Sequence, residues 1–129
     1  AMISDEAFDA YNTRLTVDVS NIDRLTPSQR DTVKHYGSQA EALLKNRDLA
    51  QFVHHFKFQV TDAIASITLH NTDANTERVA LANHLAGVDA FVASLKRAVY
   101  YKNKILAWEQ QPANPRNKSE LKQVFDPNQ

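Results

Sequence analysis

The sequence contains no cysteine, which removes disulfides, thiolate nucleophiles, zinc–cysteine centres and iron–sulfur clusters together. Glycine occurs twice, at Gly37 and Gly87, too rarely for a Gly-rich phosphate loop or a doubly wound nucleotide fold. Charge of one sign is not in excess: 15 Lys and Arg face 15 Asp and Glu. That argues against a protein that works mainly by blanket attraction to nucleic acid or anionic lipid. No apolar run approaches the roughly 20 residues needed to span a bilayer. The opening Ala1–Glu6 is acidic and lacks the basic-then-apolar order of a signal peptide, and Met2 reads as the natural start after a cloning remnant, Ala1.

What is present is enough for one helical domain. The 129 residues are 43% hydrophobic and 23% charged, so a core is feasible. Residues 4–13 carry Ala7, Phe8 and Tyr11 at helical spacing behind a Ser4 or Asp5 cap. Residues 15–25 alternate briefly at Leu15, Val17 and Val19; a lone strand has no partner, so this reads as an extended connector. Thr26-Pro27-Ser28-Gln29 is a capping box with proline at the first helical position. It opens a helix to about Lys45 with Val33, Tyr36, Ala40, Leu43 and Leu44 on one face. Gly37 weakens its middle by about 1 kcal/mol relative to Ala.

Asn46 breaks the chain before a helix from about Arg47 to His70. Its stripe is Leu49, Phe52, Val53, Phe56, Val60, Ala63, Ile64 and Ile67, with Phe58 opposite. A polar turn at 70–75 offers Thr72 or Asp73 as the cap of a long third helix. There Leu81, Leu85, Val88, Val92, Leu95 and Val99 alternate by four and three, and Pro112 ends the helix near Gln110. Residues 111–118 read as a linker, and Ser119 as the cap of a short helix with Leu121, Val124 and Phe125. The expected fold is all-α: an antiparallel hairpin of the 47–70 helix and the long helix, covered by the 26–45 helix. It divides into an N-terminal arm (1–25), a three-helix core (26–110) and a C-terminal tail (111–129).

The long helix should overhang its hairpin partner by about 12 residues, near 18 Å. That overhang carries Tyr100, Tyr101, Ile105, Leu106 and Trp108, a group that must be covered by the N-terminal segment, the C-terminal tail or a second subunit. The long helix also has a small-residue face, Ala80, Gly87, Ala90 and Ser94, broadened by Ala82, Ala86 and Ala93 and interrupted by Asn83. Together with Phe58 this points to self-association. From Ser94 onward the chain is basic, with Lys96, Arg97, Lys102, Lys104, Arg116, Lys118 and Lys122 against Glu109, Glu120 and Asp126. The candidate partner-binding residues are therefore Phe58, Lys96, Arg97, Tyr100, Tyr101, Lys104, Ile105 and Trp108. Residues 1–31 are acidic, so a complementary contact between subunits accounts for the asymmetry better than a phosphate backbone does.

Catalytic patterns are lacking. His35, His54, His55, His70 and His84 include no i, i+4 pair and no His-Glu-x-x-His; His55 and Asp62 alone share a face, and a packing role suits His84. Asp62, Asp73, Glu77 and Asp89 are scattered, and no serine sits in a nucleophile elbow. No enzyme activity, cofactor or metal is expected.

The stretch Gln39-Ala-Glu-Ala-Leu-Leu-Lys-Asn-Arg-Asp-Leu-Ala-Gln-Phe52, followed by Ile67-Thr-Leu-His-Asn-Thr-Asp-Ala-Asn-Thr-Glu-Arg78 and Leu85-Ala-Gly-Val-Asp-Ala-Phe-Val-Ala-Ser-Leu95, resembles small all-helical proteins of tailed bacteriophages and prophages. The likeness covers about residues 39–105 and brings no catalytic motif. It implies a phage setting: virion assembly or genome packaging, in the host cytoplasm or on the particle, with a phage structural or host protein as partner. A nucleic-acid-binding packaging or regulatory protein, and a phage inhibitor of a host protein, are the alternatives; a membrane is not expected. Whatever the partner, Val60→Asp or Val92→Asp should abolish the cooperative thermal transition followed by circular dichroism, since each puts a carboxylate into the expected helix contact.

Overall fold

A computed structural model describes residues 4–112. Four helices and a short 3-10 turn follow in order: α1 (Asp5–Asn12), a turn at Ile22–Arg24, α2 (Pro27–Leu44), α3 (Arg47–Ala65) and α4 (Thr72–Glu109). The described residues are helical without strands. No helix among them is long and apolar enough to cross a membrane. The expected short helix with Leu121, Val124 and Phe125 lies outside the described residues, as does the side chain of Tyr11.

The helix starts follow local chemistry. Thr26 accepts from the Gln29 amide (3.1 Å) while the Gln29 side chain accepts from the Thr26 amide (2.9 Å), the reciprocal capping box that the sequence contains. Asn46 caps α3 through Leu49 (2.9 Å). Asn71, one residue ahead of the expected Thr72 or Asp73, caps α4 through Ala74 (2.8 Å). The helix that the stripe extends to His70 ends at Ala65. Past that point the segment Ile67-Thr68-Leu69 contains two β-branched residues of poor propensity. Arg78 holds it instead, donating to the Ile67 carbonyl (3.1 Å) and the Leu69 carbonyl.

Length governs how the helices assemble. α2 has 18 residues, α3 has 19 and α4 has 38, so α2 and α3 placed end to end match α4, at about 57 Å. That is the arrangement found. Both shorter helices run antiparallel to α4: Arg30 reaches Glu109, Glu41 reaches Lys102, and Lys57 reaches Asp89. α2 occupies the C-terminal half of α4 in the most extensive contact of the molecule, α3 takes the N-terminal half in a smaller one, and α2 and α3 scarcely touch. The 18 Å overhang expected from the sequence is therefore the seat of α2. The connector lies along the same half of α4. Ile22, Leu25, Val33 and Ile105 form its core, with Val17, Val19, Tyr101 and Trp108 packed around them.

Gly37 permits this contact. A Cβ there would collide with the Lys102 side chain and sit 2.7 Å from the Ala98 carbonyl oxygen. With Ala40 (3% exposed) and Val33 (2%) one turn to either side, it brings the two backbones close. The glycine that looks like a weak point in α2 is thus its docking point. Gly37→Ala should lower the melting temperature: overpacking of about 1–3 kcal/mol outweighs the helix-propensity gain of about 1 kcal/mol. A rise in melting temperature would show that the close approach is absent.

Candidate interaction surface

The end of α4 is held by a semi-buried ion cluster. Arg30, 4% exposed, donates from Nε to Glu109 Oε1 (3.3 Å) and from a terminal nitrogen to the Leu25 carbonyl (2.7 Å). Its guanidinium lies 4.8 Å from the centre of the Trp108 ring. Lys34 Nζ reaches both Glu109 oxygens (3.1 and 3.0 Å), and Trp108 Nε1 donates to Asp23 (2.6 Å). Two cations around one largely buried carboxylate satisfy one another and fasten α2, α4 and the connector at one point.

Of the residues singled out as partner-binding, this packing takes three into the interior. Ile105 is 0% exposed, the most buried large side chain among the described residues. Tyr101 and Trp108 are half-buried against the connector. They are the cover of the core, because α2 and residues 17–25 shelter the end of α4 within one chain. The other five stay at the surface. Tyr100 is 58% exposed, edge-to-face with Tyr101 (5.2 Å between ring centres), and Lys104 Nζ stands 5.9 Å from its ring centre. With Lys96 and Arg97, also exposed, these form a basic ridge on the outer side of α4. Lys96, Arg97 and Lys104 have no carboxylate partner among the described residues. Phe58 lies on the outer side of α3, edge-on to His54 at 4.7 Å, where it lines one hollow with Phe52.

The larger surface comes from residues whose spacing places them in the core. Phe52 is 73% exposed and Phe56 40%, although both belong to the apolar stripe of α3. On α4, Phe91 is 47% exposed. With Phe8 and Phe58, every phenylalanine among the described residues is exposed, whereas phenylalanine is ordinarily among the most buried residue types. The cause is geometric. A single pair of helices shares only a narrow seam, here Val60, Ala74 and Leu95 with half-buried Val53, Ile64, Leu85, Val88 and Val92. The apolar stripe of α3 is wider than that seam, and its edge is left in water.

Three of these phenylalanines share one side of the α3–α4 pair. Lys57 and Asp89 bridge one edge of the seam (2.8 Å). At about 100° per residue, Phe52 and Phe56 lie about 100–140° around α3 from Lys57, and Phe91 and Gly87 about 160° around α4 from Asp89. All four therefore border the opposite edge. Gly87 has nothing within 4 Å of where a Cβ would stand, so this side is open space. Ser94, two turns further along the same edge of α4, lines one hollow with Leu15, Val17 and Val19. The connector thus runs on this side of the molecule up to the level of Ser94, and the rest is bare.

No group of three or more metal-ligating side chains occurs among the described residues; His55 and Asp62 are both solvent-exposed, and so is His84, for which the sequence suggests a packing role. No family model, curated protein or solved structure matches the chain.

Two outcomes follow from the charges. Glu109→Gln leaves Arg30 without its full countercharge in a buried setting and should cost about 3 kcal/mol in denaturant unfolding. Separately, a hydrogen bond from Lys102, reinforced by the charges of Lys102 and Lys45, holds the Glu41 carboxyl below its ordinary range. A carboxyl depressed in the folded state adds stability above its unfolded pKa and loses it as pH falls through the folded one. Stability should fall on acidification below about pH 5, with a shallower slope in Glu41→Gln.

Proposed function

We propose that this chain is a non-enzymatic helical interaction protein that self-associates, accessory to the assembly of a phage particle or the packaging of its genome. The observation that carries the reading is the exposure of all five described phenylalanines, three of them on one open side of α3 and α4. Exposed rings in this number on a domain with so narrow a core are the mark of a covered face. The phage setting is supported by the resemblance of residues 39–105. Light scattering after size exclusion tests the self-association. Over about 10–200 µM the mass should exceed that of one chain and rise with concentration, as mass action requires; a single-chain mass throughout would overturn the reading.

The ridge of Lys96, Arg97, Tyr100 and Lys104 favours a second reading, binding of a phosphate backbone. Filter binding across salt separates the two. Self-association predicts no retained DNA or RNA at low salt, whereas affinity that falls steeply with salt would support the phosphate reading.

A further inference from the structure

We infer that the occupant of the open side of α3 and α4 is a second copy of the same chain, seated with its α4 antiparallel to the first and with the two-fold axis passing near Asn83–Gly87. The inference rests on the self-association proposed above and specifies its surface and geometry.

Three observations lead there. The first is charge. α4 is polarised along its length: with Asp89 paired to Lys57 on the other edge of the seam and Lys102 paired to Glu41 in the α2 contact, residues 72–89 keep Asp73 and Glu77 against Arg78, while residues 90–108 keep Lys96, Arg97 and Lys104 and hold no acid at all. Two such helices repel side by side in parallel and match when antiparallel, each acidic start against the other's basic half. The second is shape. The same side carries protruding rings, at Phe52, Phe56 and Phe91, and a recess at Gly87, where a Cβ would meet nothing. A surface with protruding rings to one side and no side chain near its centre can close on itself through a two-fold axis, Gly87 letting the two α4 helices approach there. The third is continuity. On the C-terminal half of α4 the connector runs on this side, up to the level of Ser94. The bare stretch therefore runs from the start of α4 to Ser94, and its middle falls at Asn83–Gly87. A second copy centred there continues the cover that the connector begins. It also turns two narrow helix pairs into a four-helix arrangement in which Phe52, Phe56 and Phe91 become interior.

The absence of cysteine makes the test clean, because single cysteines report only their own position. In the full chain, Gly87→Cys and Asn83→Cys should form disulfide-linked dimers under mild oxidation, while Ala82→Cys, about 140° around α4 from Gly87 and on the Asp89 edge, should not. Gly87 has room for the added side chain, so the variant folds. In parallel, the double variant Phe56→Ser, Phe91→Ser should shift the mass in light scattering to that of one chain while its far-ultraviolet helical signal is kept, both rings being exposed in the single copy. A wild-type oligomer that survives the double substitution, or that cross-links through Ala82→Cys and neither of the other two, would overturn this geometry and leave self-association standing through another face. A wild-type chain that is monomeric throughout would overturn both.

Discussion

The close approach of α2 to α4 at Gly37 is the contact on which the molecule's shape depends. It lets an 18-residue helix lie flat along half of a 38-residue one, and it fixes where the second short helix has to go. Once α2 is seated over the C-terminal half, α3 can reach only the N-terminal half. The joint at Lys45–Asn46 then becomes a break in what is otherwise one rod laid against another. Arg30, Lys34 and Glu109 lock the far end of this arrangement, and Lys57 with Asp89 aligns the near one.

The two halves are unequal in consequence. The α2 half is covered from two sides, by α2 and by the connector, and holds Ile22, Leu25, Val33 and Ile105. The α3 half has one covering helix, with Val60 the only side chain of α3 that is buried. Seam width, not composition, sets this difference. α3 is richer in large apolar residues than α2, but a two-helix contact shelters only a strip of each helix, so Phe52 and Phe56 remain outside. A helix that presents an apolar face wider than its own chain can cover is organised for a further surface. In the proposed antiparallel dimer, a second copy supplies that surface.

Much of the secondary structure was legible from the residues. The capping box at Thr26–Gln29, the break at Asn46 and the stop before Pro112 are local signals, and local chemistry decides them. The heptad of the long helix was equally plain, because seven-residue spacing sustained from Leu81 to Val99 has one helical interpretation. The extension of α3 to His70 failed where β-branched Ile67 and Thr68 met no neighbour to hold them helical. The principal contact, α2 on α4, was not legible. Its determinants are Gly37, Ala40 and a charge cluster joining Arg30 to Glu109, and no periodicity links residues 79 positions apart. Ile105, Tyr101 and Trp108 looked like an interaction surface for the same reason: the cover that buries them comes from another part of the chain. Phe52 and Phe56 show the converse error, since their spacing fits the stripe while their burial depends on how many helices share the contact. A glycine in mid-helix opposite small and basic residues was the one available signal of the true arrangement.

Hydrogen exchange followed at increasing protein concentration tests this picture most directly. Amides of α2 and of residues 95–109 should be protected at every concentration, because their cover lies within the chain. Those of α3 and of residues 74–94 should exchange faster in dilute solution and gain protection as the concentration rises. Protection of α3 that equals that of α2 at high dilution and does not change with concentration would contradict it.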